Sequence, residues 1–117
     1  LISTDNYLGL FVKAALKNLD SLDGKQVLGA ASYYTAEEIV NTFAQVTGKN
    51  AVFIQVSPEQ YKASLPESFA LEFLENQLFV EDPGYYLGES LEPSLKLLDA
   101  NPTTWATFVK ENSAAWP

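Results

Sequence analysis
The chain has 117 residues, enough for one domain with a modest core, and its 47% hydrophobic and 13% aromatic content describes an ordered globular protein. A formal net charge of −8 would repel a phosphate backbone, so direct nucleic-acid binding is not expected. There is no Cys, His, Met or Arg. Their absence excludes, within this chain, disulfides, thiolate and imidazole catalysis, zinc or iron–sulfur ligation, and bidentate guanidinium recognition.

No apolar run approaches the roughly 20 residues needed to span a bilayer, and no signal-peptide pattern is present. No membrane association is expected, and the expected location is the cytoplasm, with the nucleus added if the protein is a regulator. The chain opens Leu1-Ile2-Ser3-Thr4-Asp5 without Met, as expected of a processed chain or one cut from something longer.

Residues 5–17 read as a helix, because Leu8, Phe11, Val12, Ala15 and Leu16 recur at helical spacing and Lys13 and Lys17 suit its C-terminal end. Asn18 to Gly24 is a turn-rich connection. Val27 to Ala31 reads as a strand, apolar on both faces and built partly of Gly29 and Ala, as in a buried parallel strand.

The next helix start is the clearest local signal. Thr35 is the N-cap, Glu38 completes a capping box, and Tyr34 with Ile39 can form a hydrophobic staple. Ile39, Val40, Phe43 and Val46 make one apolar stripe, and Gly48 supplies the stop. Ala51 to Val56 reads as a second strand, so the stretch from Lys25 to Val56 is a strand–helix–strand unit.

Ser57-Pro58 opens a helix that ends before Pro66, with Gln60 completing a weaker box. A longer helix spans about Ser68 to Val80, broken by Asp82-Pro83-Gly84. Tyr85 to Gly88 is a loop, Ser90 caps a short helix reaching about Leu98, and Asn101 to Thr104 leads into a last helix with Trp105, Phe108 and Val109. The expected fold class is α/β, with about two strands and six helices. Two strands make a poor sheet alone, so a missing part of the protein or a second chain is expected to complete it.

From Ala63 to Leu95 there are seven carboxylates and no lysine, interleaved with Phe69, Phe73, Phe79, Tyr85 and Tyr86. Such a run is either the solvated side of amphipathic helices or an acidic docking face for a basic protein partner. No loop has the EF-hand spacing, so no metal is expected. Glu72 and Glu75 share a helix face, but acid–base chemistry needs a raised pKa in a dry cleft, which spacing alone does not supply.

Two tyrosine pairs are the candidate substrate- or partner-binding residues. Tyr33 and Tyr34 lie where a strand hands over to a helix, and Tyr85 and Tyr86 lie in a loop flanked by glycine. The plain alternative is that Tyr34 is only the staple and the others pack with their hydroxyls in water. Neither G-x-x-x-x-G-K-[ST] nor G-x-G-x-x-G occurs, nor any Tyr-x-x-x-Lys pair, so no catalytic residue is assigned.

Three runs in order, NYLGLFVKAALKN, AASYYTAEEIVNTFAQVTGKNAVFIQVS and LENQLFVEDPGYYLGESLEPSLKLLDANPTTWATFVKEN, resemble the C-terminal portion of NmrA-like proteins, atypical members of the short-chain dehydrogenase superfamily. The most specific pieces are Tyr33-Tyr34-Thr35 with Glu37-Glu38-Ile39-Val40, and Pro102-Thr103-Thr104-Trp105 with Phe108. The resemblance implies a two-lobed protein in which an N-terminal Rossmann half binds NADP or NAD and residues 1–117 form the smaller lobe over the cleft. The Rossmann half, with its Gly-rich turn, has no counterpart here, so no cofactor is expected on this chain alone. Val27 to Ala31 would join the edge of the Rossmann sheet and Ala51 to Val56 would belong to the smaller lobe. The family implies a redox-sensing regulator or an NAD(P)H-dependent reductase of a small organic substrate. A free-standing acidic interaction module is a third reading.

Overall fold
The computed structural model describes residues 3–116. Its described elements are α1 (Thr4–Lys17), α2 (Leu19–Leu22), α3 (Ala36–Thr47), α4 (Pro58–Ala63), α5 (Glu67–Glu81), α6 (Glu92–Leu95), α7 (Trp105–Glu111) and a 3₁₀ turn (Ser113–Ala115). The chain divides into two compact units: residues up to 53 together with residues from 90 onward, and residues 54–89. Among the described residues no helix is long and apolar enough to cross a membrane.

The expected α/β class with two strands is corrected. The described structure is helical, with no strand. A strand is defined by its neighbour, and neither candidate segment has one. In Val27 to Ala31 the Leu28 N–H donates to the Ser94 hydroxyl at 2.8 Å, and the Ala30 N–H turns back to the Leu28 carbonyl at 3.0 Å. Its apolar character is used nonetheless, because Leu28 and Ala30 are buried. In Ala51 to Val56, Val52, Phe53, Ile54 and Val56 are all exposed.

The helix boundaries follow local chemistry. At α3 the Thr35 N–H donates to Glu38 Oε2 at 2.7 Å and the Glu38 N–H to Thr35 Oγ1 at 3.1 Å. Gly48 ends it with φ +70°, a left-handed conformation that costs glycine little. Ser57 and Gln60 form the same box at α4, with Pro58 at the first position. The stretch from Asn18 to Gly24 holds the short helix α2, and α6 stops at Leu95 rather than Leu98.

In the larger unit α1 turns Phe11 and Ala14 inward, α3 packs on α7, and Val109 of α7 is fully buried. Ser94 is also buried, and its hydrogen bond to Leu28 ties the 27–31 segment to α6. In the smaller unit α4 packs on α5, and Ala70 is the buried position of α5.

Candidate functional site
Two capped helix starts face each other in the larger unit. The capping box at Thr35 sets the direction of the chain just after Tyr34. At α7 the Thr107 N–H donates to Thr104 Oγ1 at 3.2 Å, and the Thr104 hydroxyl donates to Thr107 Oγ1 at 2.9 Å. The first N–H groups of a helix have no partner within it. The Trp105 N–H donates to the Tyr34 hydroxyl oxygen at 3.3 Å, and the Trp105 indole N–H to the Ile39 carbonyl at 2.9 Å. Trp105 also stacks on Phe108, with ring centroids 5.8 Å apart and planes 18° from parallel.

These contacts leave a hollow of about 210 Å³ lined by Ser3, Ala31, Tyr34, Thr103, Trp105 and Phe108, with Thr104 at its edge. It is below the roughly 300 Å³ at which drug-sized pockets begin, so it suits a small molecule or one group of a larger one. Its wall is aromatic with hydroxyls and carries no charged side chain. Tyr34 accepts a hydrogen bond from Trp105 and keeps its own proton to donate. The hollow can orient a neutral, hydrogen-bonding ligand, and no acid–base pair faces it.

The four candidate tyrosines do not share one site within a unit. Tyr34 lines the hollow, whereas Tyr33 is exposed and its carbonyl accepts from the Ser32 hydroxyl at 3.2 Å. Tyr85 and Tyr86 belong to the smaller unit, edge to face with centroids 5.0 Å apart. Their loop is held by the Leu87 N–H on the Gly84 carbonyl at 3.1 Å and the Glu89 N–H on the Tyr86 carbonyl at 2.9 Å. Leu87 has φ +54°, a strained value for a residue with a branched side chain. Sequence reasoning singled out Tyr34 but missed Thr103, Trp105 and Phe108 as its companions. The available signal was Thr104 as an N-cap, with an aromatic pair one helical turn apart behind it.

A dinucleotide needs a glycine-rich approach to a helix N-terminus that is free to receive a pyrophosphate. The three long helices offer none. Thr35 and Glu38 occupy the start of α3, Asp5 lies in the first turn of α1, and α5 begins with Glu67 directly after Pro66. Each of these starts carries a carboxylate in its first turn, a charge that opposes a phosphate there, so the residues present do not fit NAD or NADP.

One ionisable group stands out, away from the hollow. Lys13 at 2.7 Å and Lys17 at 2.9 Å both bond Asp99 Oδ2, and the Lys13 contact first and the Lys17 contact second hold its carboxyl down at about 2. This exposed cluster fastens the chain after α6 to α1. It is structural.

A search of curated proteins and a search of solved structures found no match. The family model described as NmrA-like family matches residues 1–109. Within that span lie both specific pieces of the sequence resemblance, and the fold joins them, Tyr34 and Ile39 each accepting a hydrogen bond from Trp105. The chain belongs to the NmrA-like family.

Proposed function
We propose that this chain is the substrate- or partner-binding portion of an NAD(P)(H)-binding NmrA-like protein, and that the intact protein acts as a redox-sensing regulator. Family membership supports an NAD(P)-binding protein of the regulator or reductase type. The carboxylates at the starts of α1, α3 and α5 support placing nucleotide binding in a Rossmann half outside these residues, with that half as this chain's first partner.

The observation that carries this reading is how much large apolar side chain stays in solvent. Leu8, Val12 and Leu16 form one row along α1 at 49%, 54% and 63% exposure, beside the inward face of Phe11 and Ala14. Helices of stable monomers keep their outer rows polar, and a second apolar row marks a docking face. We assign the α1 row to the nucleotide-binding half. Tyr34, Trp105 and the hollow between them would then take a small ligand, with Tyr33, Tyr85 and Tyr86 as further candidate contacts.

A reductase of a small organic substrate is the second reading, and the hollow favours it. A neutral aromatic wall with the Tyr34 proton available suits a carbonyl compound. The experiment is to titrate NADPH and NADH into the native gene product and then add a panel of carbonyl compounds. Saturable nucleotide binding without turnover is the expected result. Steady oxidation of NADPH overturns the regulator in favour of the reductase, and no nucleotide binding overturns both.

A further inference from the structure
Resting on the partner-facing reading above, we propose that the outer face of α5 docks a basic, amphipathic helix of a protein partner. Helix α5 has 15 residues, and of these Ala70 is buried and Leu74 half-buried, one turn apart on the side toward α4. The remaining residues stand in solvent. At 100° per residue, Phe69, Phe73 and Val80 fall in one row, 53%, 47% and 55% exposed, and the two phenyl rings meet edge to face at 6.3 Å. Leu71 and Leu78 fall in a second row beside Glu75, with Phe79 beside Glu72. Large apolar side chains thus stand between the carboxylates on more than one side of α5, beyond what its packing on α4 uses.

The charge selects the occupant. The smaller unit holds seven carboxylates and a single lysine, Lys62. Among the described residues no ion pair joins a lysine to Glu67, Glu72, Glu75 or Glu81. The last turn of α5 carries no basic residue, so Glu81 and the following Asp82 add to the negative end of the helix dipole. A second copy of this face, an anionic lipid surface or a nucleic acid would each bring like charge and be repelled. A helix with an apolar stripe for the Phe69 and Phe73 row and lysine or arginine along its edges satisfies both features.

The test uses the 117-residue chain and a labelled synthetic helix of about 18 residues, with leucine and lysine at helical spacing. Two controls are a scrambled peptide of the same composition and a version with glutamate for lysine. Fluorescence anisotropy should show saturable binding of the first peptide, at least about tenfold weaker for the scrambled one and absent for the glutamate one. Raising the salt to about 0.5 M should weaken binding about tenfold or more. Phe73→Ser and the double variant Glu72→Lys with Glu75→Lys should each weaken it at least about tenfold, circular dichroism confirming an unchanged fold.

Equal affinity for the scrambled peptide overturns the proposal, as do unchanged binding by both variants and absence of binding. Self-association that Phe73→Ser abolishes gives the face to a second copy, and Phe73-dependent binding to phosphatidylcholine vesicles gives it to a lipid surface. Either result refutes a basic helix. The assay contains no nucleotide and no Rossmann half, so its outcome is separate from the nucleotide titration of the intact protein.

Discussion

In the larger unit several aromatic and charged side chains end in contacts between distant parts of the chain. Trp105 spends both N–H groups on Tyr34 and Ile39 and stacks on Phe108, Phe43 meets Trp116 edge to face, and Lys13 and Lys17 converge on Asp99. In residues 54–89 the same residue types stand outward: Phe69, Phe73, Phe79 and Tyr85 are exposed, among seven carboxylates and one lysine. The first pattern ties distant parts of the chain together and makes a hollow. The second keeps apolar side chains and carboxylates exposed side by side, where the Leu8, Val12 and Leu16 row of α1 exposes apolar area alone. The larger unit thus builds a hollow from its own side chains, while α5 of the smaller unit keeps most of its large apolar side chains in solvent.

That contrast can be broken by mutation, starting with the largest effect. Trp105→Ala should cost about 2–3 kcal/mol, somewhat below the range for a fully buried ring, because it removes the stack and orphans the Ile39 contact. Denaturant unfolding measures it, and a loss under about 0.5 kcal/mol would show that the larger unit is not held together there. Ser94→Ala should cost about 1–2 kcal/mol, since the buried Leu28 N–H loses its acceptor. The same substitution at Ser90, whose hydroxyl accepts from Glu92 at 3.3 Å on the surface, is the control and should cost less.

Phe73→Ser in the smaller unit should cost the isolated chain no more than about 1 kcal/mol, for a half-exposed ring and its edge contact with Phe69. A loss like that of Trp105→Ala would erase the difference between the two regions. The smallest effect concerns pH. Asp99 is held from an ordinary value of 3.8 down to about 2 by Lys13 and Lys17. A depressed carboxyl contributes stability above its unfolded value, which is lost as pH falls through the folded value. The melting temperature of the parent should therefore fall more than that of Asp99→Asn between about pH 4 and about pH 2, and the difference should shrink in high salt.

Legibility followed range. The capping boxes at Thr35 and Ser57, the Gly48 stop and the end of α5 before Asp82 are decided by neighbours three or four residues away, so they can be read from the chain. The strands could not be. Val27 to Ala31 and Ala51 to Val56 have the composition of strands, but pairing is a property of two segments, and composition cannot supply the second. Helix α2 was hidden because Asn18, Asp20, Ser21 and Asp23 favour turns, and it is a single turn with no side-chain N-cap. The hollow needed the fold itself, since Tyr34 and Trp105 are 71 residues apart in sequence. The acidic run was visible from the start, but that Phe69, Phe73 and Phe79 stand exposed beside it needed the fold.

The central claim is that these 117 residues are the docking and ligand-facing portion of a nucleotide-binding protein and hold no nucleotide themselves. Its most direct test is a fluorescence titration of NADPH against the isolated chain and, in parallel, against the native gene product. The isolated chain should give a flat response and the gene product a saturable enhancement. Saturable binding of NADPH by the isolated chain would contradict it, because the N-termini of α1, α3 and α5 would then have received a phosphate despite Asp5, Glu38 and Glu67.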